Sequence, residues 1–353
     1  MNTQDIIICH NMEADLQSAI EIVPHHNIFI ITDTHTQQLC LPLIASYPYL
    51  KDVKTICIGA EDANKNLHTL AHVWTELSNN GATRHSLVIN LGGGMVTDLG
   101  GFAAATFKRG IRFINIPTTL LAMVDAAVGG KTGINFNGFK NEIGSFYTAS
   151  SVIISSQFLR TLDSSNLLSG YAEMLKHGLI SKESHWAELL RFDMENIQYD
   201  TLQQLIAQSI HVKEQIVKQD PYEQGIRKAL NLGHTIGHAF ESLALAKGHP
   251  VLHGYAVAWG MVCELYLSFL QCGFPKDKLY QTIDFIKSNY GRLAFTCKDY
   301  DQLFQFMRHD KKNLTMDEIN FTLLSGIGQI NINQKVNKDT IFELLDFYSE
   351  TMG

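Results

Sequence analysis

The sequence predicts an α/β N-terminal domain followed by a mainly α-helical C-terminal domain, and three observations carry that prediction. Short β-branched runs alternate with helical patterns as far as about residue 160. From about Ser165 the segments lengthen and keep their apolar residues at helical spacing. Titratable residues then crowd into one span of that second half, Arg227 to His253. At 353 residues the chain is long enough for two separate cores.

The predicted strands of the first half are Asn27 to Asp33, Val53 to Gly59, Ser86 to Gly92, Arg112 to Thr118 and Ser151 to Ser155. They are β-branched, uninterrupted by turn residues and bounded by Gly, Asp or Pro, as strands buried on both faces of a parallel sheet should be. Segments between them, such as Leu67 to Asn79, carry helical spacing. The alternation is the βαβ pattern of a Rossmann-like, nucleotide-binding domain, assigned to residues 1–162. In the second domain, residues 163–353, helices are expected over 167–180, 185–191, 201–218, 226–245, 255–270 and 278–288. One late hairpin, 320–324 with 329–332, completes it.

Composition excludes several classes of function. A net charge of −7 lacks the basic footprint that nucleic-acid binding needs. No apolar run is long enough to span a bilayer, and the first residues lack the features of a signal peptide. The six cysteines are scattered without a C-x-x-C pair, as reduced thiols are, so the expected location is cytoplasmic.

Three motifs carry chemistry. Gly92, Gly93 and Gly94 end a predicted strand and are followed by Thr97 and Asp98. Glycines there let backbone N–H groups approach a pyrophosphate, and the next helix N-terminus favours its charge. Thr118 and Thr119 close the following strand on the same side, and Asp33 ends an early strand where a ribose hydroxyl would need an acceptor. The second motif runs from Asp125 through Gly129, Gly130 and Lys131 to Lys140 and Asn141. It lacks the Walker spacing of a P-loop, but two lysines beside paired glycines suit an anionic ligand. The third is the span Arg227 to His253. His234 and His238 are four apart, so on a helix their imidazoles share a face and can converge on one metal ion. Arg227 and Asn231 show the same spacing, and Asn231, His234, His238 and Glu241 continue a single polar stripe. A hard anionic ligand would complete such a site, and spacing leaves Glu173, Glu241 and Glu264 all open. Glu173 and Lys176 share a helix face three apart, which could equally be a surface ion pair.

Taken together, GGGMVTDLGGFAA, KRGIRFINIPTTLLAMVDAAVGGKTGIN, KNEIGSF, SGYAEMLKHGLI and RKALNLGHTIGHAFE with LHG resemble the 3-dehydroquinate synthases over nearly the whole chain. The resemblance implies NAD in the first domain, Zn2+ (or Co2+) in the second, and an active site in the cleft between them. It implies Glu173, His234 and His253 as metal ligands, with His238 handling a proton or touching phosphate instead. Asp125, Lys131, Lys140, Asn141, Lys176, Lys213, Arg227, Asn231 and Lys311 of the Lys311–Lys312 pair match substrate-binding or catalytic positions. Gly93, Gly94, Asp98, Thr118, Thr119, Lys131, Lys140 and Thr161 match cofactor contacts, and Asp62 and Lys65 match an altered ribose motif. Arg109 matches an arginine that a neighbouring subunit sends to the substrate phosphate, which implies a homodimer.

The implied substrate is a phosphorylated sugar acid, 3-deoxy-D-arabino-heptulosonate 7-phosphate. Transient oxidation at C5 would acidify the C6–H, permit loss of phosphate, and be reversed before ring opening and aldol closure. Related readings are a cyclase making 2-deoxy-scyllo-inosose or an epi-valiolone, and a metal-dependent polyol dehydrogenase. The first acts on sugars without a carboxylate, whereas the resemblance implies that Arg227 and Asn231 hold one. The second would release NADH with every turnover.

Overall fold

A computed structural model of the chain describes residues 4–137, 139–309 and 318–353, so Lys311 lies outside the described residues. The chain divides into two units: Met1–Asp163 with Gln198–Ile210, and Ser164–Ile197 with His211–Gly353.

The first unit is built on six parallel strands: β1 (Asp5–Ile8), β2 (Asn27–Asp33), β3 (Lys54–Ile58), β4 (Ser86–Gly92), β5 (Arg112–Pro117) and, after an excursion, β8 (Ser151–Ile154). Their order is β1-β8-β5-β4-β2-β3. The direction of winding reverses between β2 and β4, which opens a crevice beyond their carboxyl ends, where such sheets bind ligands. Leu87, Val88, Ile89 and Leu91 of β4 are fully buried, which explains why central strands read as unbroken apolar runs. Helices α1 (Met12–Ile22), α2 (Thr34–Leu39), α3 (Leu67–Asn79) and α4 (Gly94–Thr106) connect the strands. Asn11, Asp33 and Asn66 cap the first three through their side chains, as short polar residues at these positions do.

The excursion is an antiparallel ribbon of β6 (Lys131–Phe136) and β7 (Phe139–Phe146), where the sequence reading assigns no element. It also omits β1, whose four residues pair with β8 at the edge of the sheet. The other five parallel strands fall where expected, to within a residue at each end.

The second unit holds α5 (Ser164–Leu179), α6 (Glu183–Arg191) and the later part of α7 (Tyr199–Gln219), whose first residues belong to the first unit. Helices α8 (His234–Ala246), α9 (His253–Cys272), α10 (Lys276–Tyr290), α11 (Tyr300–His309) and α12 (Lys338–Met352) follow, with the hairpin β9 (Glu318–Gly326) and β10 (Gln329–Asn337) before the last of them. The hairpin is longer than expected, and α11 and α12 are additions to the sequence reading. The core joins Phe240 and Leu243 of α8, Met261 and Leu265 of α9, Leu323 of β9 and Tyr348 of α12.

One expectation is corrected. Residues 226–245 do not form one helix: Ile226–Asn231 is a 3-10 turn, and α8 begins only at His234. Gly233 interrupts them at φ +79°, a conformation glycine adopts without strain. A Cβ at Gly233 would stand 2.6 Å from Met261 Cγ and 2.8 Å from the Val257 carbonyl. The break therefore comes from close packing on α9. Asn231 consequently lies off the helix that carries His234 and His238, and the proposed four-residue polar stripe begins at His234.

Candidate metal centre and nucleotide-binding residues

Three helices of the second unit bring Glu173, His234 and His253 together. Glu173 lies on α5 and is fully buried, while His234 and His253 are the first residues of α8 and α9. Glu173 Oε1 is 3.4 Å from His234 Nε2 and 3.6 Å from His253 Nε2. Two ligands on a tetrahedral ion with bonds of about 2.0–2.2 Å stand roughly 3.3–3.6 Å apart, so these separations fit a metal-binding edge.

The rings are oriented for that task. His234 Nδ1 lies 3.1 Å from the Leu232 carbonyl, and His253 Nδ1 lies 3.2 Å from Glu241 Oε2. With Nδ1 of each ring so engaged on the far side, both Nε2 atoms face Glu173, where a metal ion would take their lone pairs. Among the described residues Glu173 pairs with Lys176, and the two imidazoles are further polar neighbours. A buried carboxylate so placed, aimed at two imidazole nitrogens, fits a divalent cation.

Electrostatics agree with that fit. Burial works to raise the Glu173 pKa, but Lys176 and then His234 outweigh it and hold the carboxyl well below its usual range. His234 is pushed down to about 4, chiefly by burial and then by the Lys176 charge, against the pull of Glu173. For His253 burial also acts downward, yet its bonds to Glu173 and Glu241 prevail and raise it to about 10.

The structure separates the three carboxylates that spacing leaves open. Glu241 holds the back of His253. Glu264 is fully buried and accepts from Gly233 N at 2.6 Å and Ile236 N at 3.1 Å, at the start of α8. Glu173 alone of the three faces both Nε2 atoms. His238 remains close: its ring centroid is 5.3 Å from that of His234 and 5.7 Å from that of His253. The three histidines could also present ligand atoms within 4.8 Å of one another.

Close helix packing places these groups. A Cβ on Gly254 would lie 1.9 Å from the Ser169 carbonyl, and one on Gly260 would lie 2.0 Å from the Gly233 carbonyl. Glycine at those two positions lets α9 rest directly on α5 and on the start of α8.

Elsewhere in this unit Lys176, Lys213 and Arg227 are buried cations. Arg227 Nη1 donates to the Pro221 carbonyl at 2.6 Å, in a turn whose N–H groups converge on Asp220. Asn231 Nδ2 donates to Glu223 Oε1 at 3.0 Å.

In the first unit, Gly93 and Gly94 begin α4 at the carboxyl end of β4, beside the winding reversal, and Asp33 ends the neighbouring β2. Gly93 provides no side-chain cap, and a Cβ there would come within 3.0 Å of Thr119 Cγ2. An open helix start beside a narrow glycine approach fits a pyrophosphate. Asp33 Oδ1 accepts from Thr36 N at 2.8 Å, so one of its oxygens already caps α2. Thr118 is buried after β5, and the Thr161 hydroxyl donates to the Phe158 carbonyl at 2.9 Å.

The unexpected ribbon connects several remaining positions. Lys131 starts β6, while Lys140 and Asn141 lie on β7. Lys65, almost wholly buried, donates at 2.5 Å to both Asp98 Oδ2 and Asn141 Oδ1. Asp62 accepts from Asn135 Nδ2 at 3.1 Å and lies 3.8 Å from Lys140 Nζ, a half-exposed pair of little energetic weight. Asp125 sits in a π-helical turn, and Arg109 follows Lys108 in the left-handed region at φ +68° and +48°. Sequence reasoning misses Lys65 as the link between Asp98 and Asn141, because the contact depends on a ribbon it does not predict.

Comparison with known proteins gives one family. The 3-dehydroquinate synthase N-terminal model matches residues 55–169, and the C-terminal model of the same name matches residues 170–313. A 3-dehydroquinate synthase of Parabacteroides distasonis is 56% identical over 353 residues, covering 100% of both chains. One from Pyrococcus furiosus is 37% identical over 324 residues, 91% of this chain and 92% of its own. Among solved structures, a 2-deoxy-scyllo-inosose synthase complexed with carbaglucose-6-phosphate, NAD+ and Co2+ superposes with a TM-score of 0.85 at 24% identity, covering 96% and 95% of the two chains. A 2-epi-5-epi-valiolone synthase from Streptomyces hygroscopicus with NAD+ and Zn2+ gives a TM-score of 0.85 at 24% identity, covering 99% and 98%. At such identity these structures speak for the fold alone.

Proposed function

This chain belongs to the 3-dehydroquinate synthase family, and we propose that it uses Glu173, His234 and His253 to hold the family's divalent ion. Its reaction converts 3-deoxy-D-arabino-heptulosonate 7-phosphate into 3-dehydroquinate and phosphate, which makes it a carbon–oxygen lyase. When bound, NAD+ supplies a hydride acceptor that is restored within the turnover, and zinc or cobalt supplies polarisation of the reacting hydroxyl. The observation that carries the metal assignment is the buried Glu173 carboxylate facing two oriented Nε2 atoms at 3.4 and 3.6 Å.

The remaining residues divide by chemistry. Arg227 and Asn231 hold the substrate carboxylate, to which a guanidinium offers two parallel donors. Lys131, Lys140, Lys176, Lys213 and Lys311 neutralise phosphate and oxyanion charge, with Asp125 and Asn141 orienting hydroxyls. His238, whose ring lies beside those of His234 and His253, moves the proton that the elimination of phosphate requires. Gly93, Gly94, Asp98, Thr118, Thr119 and Thr161 receive the cofactor, and Asp33, Asp62 and Lys65 serve its ribose. Lys65 also ties Asp98 to Asn141, so cofactor and substrate contacts in that unit are mechanically coupled. Arg109 serves the active site of a second copy in a homodimer, which its exposed, left-handed turn supports. Residues 1–162 form the cofactor half and 163–353 the metal half, apart from Asp163 and Gln198–Ile210, which pack with the first unit. A cytoplasmic location is supported by six cysteines that form no disulfide. Among the described residues, no helix is long and apolar enough to cross a membrane.

Two experiments test this reading. Phosphate release should proceed through many turnovers with catalytic NAD+ and without growth of the reduced-nicotinamide absorbance. NADH rising in step with product would contradict it.

Arg227→Ala should lower kcat/KM by roughly ten- to a hundredfold or more, since hydrogen bonds to charged groups are worth about 1.5–3 kcal/mol each. Metal content and NAD+ affinity should not change. An unaltered kcat/KM would place the carboxylate elsewhere.

A further inference from the structure

Glu241 and Glu264 are carboxylates at the metal centre that face away from Glu173, and their placement is reciprocal. Glu241 belongs to α8 and reaches Nδ1 of His253, the first residue of α9, at 3.2 Å. Glu264 belongs to α9 and accepts from the N–H groups of Gly233 and Ile236, which bracket His234, the first residue of α8. Each helix therefore fixes the histidine that opens the other. We propose that Glu241 and Glu264 are positioning residues that pre-set the two imidazoles for one metal ion without ligating it.

The two devices differ in their physics. Glu241 acts on the ring: by accepting from Nδ1–H it selects the tautomer with its lone pair on Nε2 and stops rotation about the ring axis. Glu264 acts on the backbone. Gly233 is left-handed and cannot cap α8 with a side chain, so the first turn has donors with no local acceptor. A fully buried carboxylate from the neighbouring helix takes two of them, and its charge favours the positive helix end. The first turn is thereby held against α9, where the Gly260 and Gly233 backbones approach too closely for any Cβ. His234 inherits its place from that turn, and the Leu232 carbonyl then fixes its tautomer. Without Glu264 the start of α8 would retain a correct imidazole in the wrong place; without Glu241, His253 would retain its place with the wrong ring orientation.

The inference rests on the metal assignment made above, so its test separates the two. Full-length protein is freed of metal and titrated with Co2+, following the visible absorption bands and the dissociation constant. His253→Ala should abolish tight binding; unaltered Co2+ binding in that variant would overturn the metal assignment itself. Glu241→Ala should weaken Co2+ affinity about 10–100-fold, the usual cost of removing an outer partner of a metal ligand. Glu241→Gln, which retains an acceptor oxygen, should recover part of the loss, and NAD+ affinity and Tm should stay at the parent values. Glu264→Gln retains one acceptor oxygen where Gly233 N–H and Ile236 N–H use two, so it should weaken Co2+ affinity and shift the absorption bands. If His253→Ala abolishes binding while Glu241→Ala leaves affinity within twofold of the parent, the role of Glu241 is overturned. If Glu264→Gln lowers Tm with affinity and spectrum unchanged, Glu264 is a helix cap only and its positioning role is overturned.

Discussion

Replacing His253 with alanine should remove tight metal binding and, with it, measurable turnover. Glu173 and His234 would remain, but two ligands seldom hold a catalytic ion against water. The loss should exceed the roughly 10–100-fold that an altered outer partner costs. Added zinc or cobalt should restore a chelator-stripped parent protein but not the variant. NAD+ affinity should survive, because the residues assigned to the cofactor belong to the other unit. A His253→Ala protein with full metal content and rate would remove the basis for the whole assignment.

The second large effect is expected from a residue with no functional group. Gly254→Ala places a Cβ 1.9 Å from the Ser169 carbonyl, and backbone rather than a flexible side chain stands in its way. The Gly254 N–H also donates to Ser169 Oγ at 3.0 Å, so the start of α9 rests on α5. Overpacking of this kind costs about 1–3 kcal/mol. Ser169 lies one turn before Glu173 on α5, and Gly254 adjoins His253. Relief of the clash should therefore move one of the proposed metal ligands away from another. Metal titration should show at least a tenfold weaker site, and thermal denaturation a lower Tm. Parent-like affinity and Tm would mean that the helices separate without disturbing the ligands.

The parts of this arrangement that the sequence reveals are those set by local pattern. Strands β2, β4, β5 and β8 are long or central enough to read as mainly apolar, β-branched runs, and the sheet they form brackets Asp33 and the Gly93–Gly94 turn. Ribbon β6–β7 is invisible because polar and glycine residues, most of them exposed, dominate it. Its strands are held by pairing with each other, which composition does not encode. The helix break at Gly233 is missed for a related reason: Leu232 to His238 preserves helical spacing, and the break is imposed by Met261, Val257 and Glu264 from another helix. Carboxylate choice shows the same limit. Glu173, Glu241 and Glu264 are equivalent by residue type, and only the assembled helices show that one faces the imidazoles, one supports a ring and one caps α8. Family resemblance selects Glu173 from motif alone, and the physical reason lies in those contacts.

The most direct test of the metal centre is anomalous diffraction at the zinc edge from crystals of the zinc-loaded protein. One strong site is expected within about 2.0–2.2 Å of a Glu173 oxygen, His234 Nε2 and His253 Nε2, with His238 outside the coordination sphere. An ion held by His234, His238 and His253, with Glu173 paired only to Lys176, would contradict it.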